Sequence, residues 1–170
     1  MFEIGDYVIY GTKGVCVVEE IGKIAMDGIP KDKLYYTLEP VYEKGSRIFT
    51  PVDHQKVIMR PAVSKEEALA LIDEIPELEA LWIPDDKMRE QQFKGSLKTC
   101  DCRECIRIIK TLYLRKKARL SEGKKVTSGD NKYLKLSEDC LYGEFAIALN
   151  MNLDEVKAFI MDSIKNRIEI

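Results

Sequence analysis

Over the first 60 residues, apolar and polar positions alternate in short runs. Beyond Pro61 the apolar positions recur at three- and four-residue spacing to the end of the chain. Residues 7–10, 15–21, 34–38, 47–50 and 57–59 are rich in β-branched and aromatic side chains and read as five strands. Turn chemistry separates them at Gly11-Thr12-Lys13-Gly14, Asp27-Gly28-Ile29-Pro30 and Lys44-Gly45. Five short strands joined by short turns predict a small, bent antiparallel β-barrel.

The second pattern predicts five helices. Ser64-Lys65-Glu66-Glu67 has the form of a capping box and starts a helix that runs to about Glu74, where Ile75-Pro76 stops it. Pro84-Asp85-Asp86 starts the next, through Met88, Phe93 and Leu97. Asp101 and the residues after it cap a third, running to about Leu120, with Cys105, Ile108, Ile109 and Leu112 on one face. Ser121-Glu122-Gly123 ends it. A long helix is predicted from about Asp130 to Leu149 with Leu134, Cys140, Leu141, Phe145 and Ala148 as its apolar positions. Asn152 caps the last, through Val156, Ile160 and Ile164. The expectation is an α+β chain: a small β-barrel domain over residues 1–62 followed by an all-α helical domain over 63–170.

Charge changes this picture more than composition does. The chain of 170 residues has a formal charge of −2, but residues 87–135 hold 15 Lys/Arg against five Asp/Glu. Residues 65–86 are acidic, with eight Asp/Glu against one lysine. Phosphate binding depends on local charge density, so the basic block admits a nucleic-acid partner despite the acidic total. Arg103, Arg107, Lys110 and Lys117 fall on one face of the third helix, opposite Cys105, Ile109 and Leu112. Arg115, Lys116, Arg119, Lys124 and Lys125 crowd its end, and Lys87, Arg89, Lys94 and Lys98 extend the basic surface upstream. The residues expected to contact DNA are Arg89, Lys94, Lys98, Arg103, Arg107, Lys110, Arg115, Lys116, Arg119, Lys124 and Lys125. No reading helix with base-edge Asn or Gln is evident, so backbone contacts and groove shape are expected over direct readout.

Catalytic chemistry is sparse. The single histidine, His54, sits beside Asp53 in a turn after Pro51 and reads as a surface residue. Phosphate-binding glycine loops, zinc-protease motifs and nucleophile elbows are missing from the sequence. No apolar run approaches the ~18 residues of a membrane span, and the first residues lack the pattern of a signal peptide, so a cytoplasmic location is expected. The five cysteines are then reduced. Cys100, Cys102 and Cys105 have the one metal-like spacing, with Cys140, Cys16 or His54 as a fourth ligand. The same thiols also fit a buried helix face and its N-cap, or a reactive cluster beside Arg103. The incomplete motif favours structural cysteines, with no metal, cofactor or small-molecule substrate.

The opening residues 4–10, with Gly14-Val15 and then Ile48-Phe49-Thr50-Pro51-Val52, resemble the Tudor-like RNA polymerase interaction domain of CarD/CdnL proteins and the transcription-repair coupling factor. Residues 108–115 and 141–149 are similar to the CarD helical domain. The resemblance implies a non-enzymatic transcription regulator. Its β domain would dock on the polymerase β-subunit lobe through Arg47, Ile48, Phe49 and Thr50, by β-augmentation. Its helical domain would bind promoter DNA at the upstream edge of the bubble and stabilise the open complex.

One position departs from that family. Its members place a tryptophan in the helical domain as a minor-groove wedge. Aligning Phe93-Lys94 with the family's aromatic–Lys pair puts Arg89 at that position. The only tryptophan, Trp82, lies seven residues earlier. The expectation is that Trp82 packs with Leu78 and Leu81 while Arg89 enters the groove; the alternative is a shifted alignment with Trp82 as the wedge. Two rival functions stand beside the main one: a Tudor/SH3-like RNA- or ribosome-binding module, and a thiol-based redox or metal sensor.

Overall fold

The computed structural model describes residues 1–53 and 56–168, with side chains through Ser163. The chain divides into two compact units, Met1–Ala62 and Val63–Ile170. His54 and the Ile164 side chain lie outside the described residues.

The first unit is one antiparallel sheet. Its strands are β1 (Tyr7–Tyr10), β2 (Val15–Gly22), β3 (Tyr35–Pro40), β4 (Ile48–Pro51) and β5 (Met59–Pro61). The order is β4-β3-β2-β1-β5, each neighbour antiparallel. Among the described residues no ladder joins β4 to β5, so the predicted barrel is a sheet with two edges. Alternation places Val8, Cys16, Val18, Tyr36 and Leu38 in one buried cluster, as a half-buried strand pattern requires. The register shifts between Val18 and Glu20, a bulge that turns β2 against β3.

Two strand boundaries differ from the sequence reading. β5 starts at Met59 rather than Val57, because Val57 and Ile58 belong to the approach. There the Ile58 carbonyl accepts from Gly11 N–H at 2.9 Å and the Val57 side chain fills the space over Gly11. A Cβ at Gly11 would collide with Val57, and its φ of +50° also favours glycine. β4 starts at Ile48, leaving Arg47 just before the strand.

The second unit comprises α1 (Lys65–Glu74), a 3-10 turn (Ile75–Glu77), α2 (Asp86–Lys98), α3 (Cys102–Ser121), α4 (Ser128–Leu149) and α5 (Leu153–Ile168). Caps set these boundaries. Ser64 accepts from Glu67 N–H, Asp85 from Met88 N–H, Asp101 from Arg103 N–H and Asn152 from Glu155 N–H. α4 begins two residues before the predicted Asp130, because Thr127 Oγ1 accepts from Asp130 N–H at 3.1 Å. It ends on Asn150 in the left-handed conformation. One continuous core joins the helices, with Ala68, Leu71, Ile72 and Ile75 against Phe93, Ile108, Ile109, Leu112, Leu141, Phe145, Val156 and Ile160. Among the described residues, no helix is long and apolar enough to cross a membrane.

Candidate functional sites

β4 is an edge: its recorded ladder is with β3 alone, Leu38 opposite Ile48 and Thr37 opposite Phe49. Strand alternation splits the four candidate docking residues. Thr50 is buried and Ile48 packs against the sheet's core, whereas Phe49 is 38% exposed and Arg47 lies at the surface. At this edge Arg47 and Phe49 are therefore the outward side chains, and Ile48 and Thr50 face inward. Phe49 also lines a cavity of about 240 Å³ with residues 20–25 and Thr37. Arg47 Nε lies 3.9 Å from Glu19. The Glu19 carboxyl is raised above the usual range, first by its hydrogen bond with Glu39 and then by desolvation and the Glu39 charge, against the opposing pull of Arg47.

The basic face of α3 has an unexpected partner. Arg103, Arg107, Lys110 and Thr111 do share one side of the helix, but each is bonded to the end of α1 or to the chain between α1 and α2. Arg103 makes two hydrogen bonds to the Glu74 carboxylate, at 2.7 and 2.9 Å. Glu74 is held below the ordinary carboxylate range by that guanidinium. Arg107 donates to the Glu79 carbonyl at 3.0 Å and to the Glu104 carboxylate at 3.1 Å. The Lys110 ammonium reaches the carbonyls of Ile75, Pro76 and Leu78 at 3.0, 3.4 and 2.8 Å. Those groups close α1 and the 3-10 turn, where carbonyls carry partial negative charge and the Ile75 carbonyl also accepts from Leu78 N–H at 3.3 Å.

Arg89 is not on the surface. It is 6% exposed, donates to Asp86 at 2.6 Å and to the Ile83 carbonyl at 3.1 Å, and lies 4.0 Å from Asp130. Asp130 is equally buried and also accepts from Arg115 at 3.0 Å. The Asp86 carboxyl is held below its usual range, first by the Arg89 hydrogen bond and charge and then, more weakly, by Arg115 and Arg119. Arg89 therefore cannot enter a groove without leaving a buried ion-pair cluster. The expectation for Trp82 is also reversed. Leu78 and Leu81 pack on the core, while Trp82 is 70% exposed.

The exposed cations are fewer than the sequence suggested. Lys98, Lys116, Lys117 and Lys125 are exposed, and none has an ion-pair partner among the described residues. Lys94 pairs loosely with Glu90 at 3.5 Å, Lys124 with Glu122 at 3.2 Å, and Arg119 donates to the Lys125 carbonyl. Residues 115–125 thus gather charge at the C-terminal end of α3, where Arg115 reaches the Asp130 that also faces Arg89. Spacing alone could not reveal Asp130 as the common counter-charge of Arg89 and Arg115, because it lies on a different helix.

The thiols are enclosed. Cys100, Cys102 and Cys105 are buried and Cys140 half-buried. Cys102 donates to Glu144 Oε1 at 3.2 Å, while Glu144 Oε2 accepts from Val63 N–H at 2.9 Å. Burial pushes both Cys16 and Cys140 up to about 11, far from a reactive thiolate. Among the described residues, no group of three or more His, Cys, Asp and Glu side chains could hold a metal ion.

Residues 2–63 match the family model of the CarD-like/TRCF RID domain, which spans the whole five-stranded sheet. No curated protein matches the chain.

Proposed function

We propose that this chain, whose residues 2–63 match the CarD-like/TRCF RID domain, is a non-enzymatic transcription factor that joins RNA polymerase to promoter DNA. The domain docks on the polymerase β-subunit lobe by adding β4 to a sheet of the lobe, main chain to main chain, with Arg47 and Phe49 as side-chain contacts. The helical domain meets DNA at the upstream edge of the opened promoter. Lys116, Lys117, Lys124 and Lys125 bind phosphates, Lys98 extends that surface, and Trp82 acts as an apolar wedge that stabilises the open complex. It works in the cytoplasm, without cofactor or substrate.

The observation that carries this reading is the domain match over a sheet whose β4 edge has an outward Phe49 and Arg47. An exposed Trp82, in a unit whose α3 ends in exposed lysines, supports the DNA half. The enclosed cysteines give a thiol sensor little support. The test is binding of the full chain to the isolated β-subunit lobe, with Phe49→Asp as the control. Binding that Phe49→Asp abolishes supports the docking mode. Failure of the lobe to bind, with retained binding to structured RNA, favours the RNA-module rival.

A further inference from the structure

Between α1 and α2 the chain crosses α3 as a strap, the 3-10 turn and the irregular residues 78–85, and Trp82 is its large exposed apolar side chain. Irregular backbone normally satisfies its polar groups with water. Here side chains from two helices take that place at six positions. Lys110 binds the carbonyls of Ile75, Pro76 and Leu78, and Arg107 binds that of Glu79. Thr111, fully buried, accepts from Leu81 N–H at 2.7 Å while its hydroxyl donates to the Arg107 carbonyl at 2.7 Å. Arg89 binds the Ile83 carbonyl. The last two anchors lie immediately before and after Trp82, and Leu78 and Leu81 are set into the core beneath it.

We propose that Arg89, Arg107, Lys110 and Thr111 are positioning residues: they immobilise the strap so that Trp82 is presented to DNA already ordered, and they do not contact phosphate. The inference rests on the DNA reading above for its consequence, but its physical core concerns the strap alone. A tryptophan on a free loop must lose chain entropy when it inserts, whereas one on an anchored backbone has lost it on folding. Arg89, Arg107 and Lys110, which look like part of a DNA face in the sequence, therefore act through Trp82. Lys110 in particular is committed to three carbonyls and has no donor left for a phosphate.

The chain's only tryptophan makes the strap directly readable by its own fluorescence. The experiment uses the full-length chain, wild type, Lys110→Met, Thr111→Val and Thr111→Ser, each also in a Trp82→Ala background. Three quantities are measured: time-resolved Trp82 anisotropy, the salt dependence of binding to a mixed-sequence DNA duplex, and open-complex lifetime with polymerase. Lys110→Met and Thr111→Val should increase fast Trp82 motion and shorten the open-complex lifetime toward that of Trp82→Ala. Neither should shorten it further in the Trp82→Ala background. Thr111→Ser, which keeps the hydroxyl, should restore Trp82 rigidity. The salt slope of log K should stay unchanged in all of them, whereas loss of a true phosphate contact lowers it by about 0.9. A lowered slope for Lys110→Met, unchanged Trp82 anisotropy, or an effect that persists without Trp82 overturns the proposal. If Trp82→Ala itself leaves the open complex unchanged, the DNA reading fails, while the anisotropy still decides whether the strap is anchored. Should Lys110→Met not fold, the near-isosteric Thr111→Val and Thr111→Ser pair decides alone.

Discussion

The Arg115 guanidinium lies 3.0 Å from the Asp130 carboxylate, and that carboxylate, almost wholly buried, also faces Arg89. One acidic side chain at the start of α4 thereby ties together α2, α3 and α4. Removing it leaves two guanidiniums near each other with one counter-charge fewer. Asp130→Ala should destabilise the chain by about 3 kcal/mol, the lower end for a broken buried pair because Arg89 keeps Asp86 and Arg115 is partly hydrated. Urea denaturation checks this; a loss under about 1 kcal/mol would mean that the cluster is well solvated.

Trp82→Ala should barely change stability, by no more than about 0.5 kcal/mol, since the side chain is mostly in water. The same variant should shorten the open-complex lifetime. Thermal melting alongside a promoter-complex challenge assay separates the two. A large loss of stability would return Trp82 to the core.

On the sheet, Phe49→Asp and Arg47→Glu should abolish lobe binding and leave the domain folded. Ile48→Asp should unfold it instead, because Ile48 packs against the buried cluster of Val8, Val18, Tyr36 and Leu38. Circular dichroism and lobe titration of the three variants test this division. Equal loss of fold in all three would remove the distinction between outward and inward residues.

Lys116→Ala, Lys117→Ala and Lys125→Ala should each weaken duplex binding on every sequence and lower the salt slope by about 0.9. Arg103→Ala should leave the slope unchanged, since its guanidinium is held by Glu74. Fluorescence anisotropy titrations at several salt concentrations distinguish these classes.

Acid should loosen the helical domain through Asp86 and Glu74. Both carboxyls are depressed in the folded state, by Arg89 and Arg103 respectively. Their contributions are therefore fully present above the unfolded pKa, about 4, and fade as pH falls through the lower folded values. Stability measured from pH 6 downward should fall less steeply in Asp86→Asn than in wild type. An identical slope would show that Asp86 is hydrated in solution.

The elements were legible because their caps are local. Ser64, Asp85, Asp101 and Asn152 each announce a helix with the residue that follows by two or three. Thr127 was missed because Gly129, a poor helix former, sits inside the turn that it caps. The side of α3 shared by Arg103, Arg107 and Lys110 was also legible. Its partner was not, because backbone carbonyls of an irregular strap leave no trace in residue type. Trp82 misled for a related reason: Leu78 and Leu81 go to the core, but an extended strap need not turn every apolar side chain the same way.

Both ends of the sheet are short. β5 has three residues against four in β4, and each closes on a proline, Pro61 and Pro51, whose nitrogen cannot donate. A sheet extendable at both ends can link one molecule to the next without limit. With both edges short and ended by proline, a guest strand docked in the proposed way finds few ladder positions and little room for a second, so docking should saturate instead of seeding a polymer.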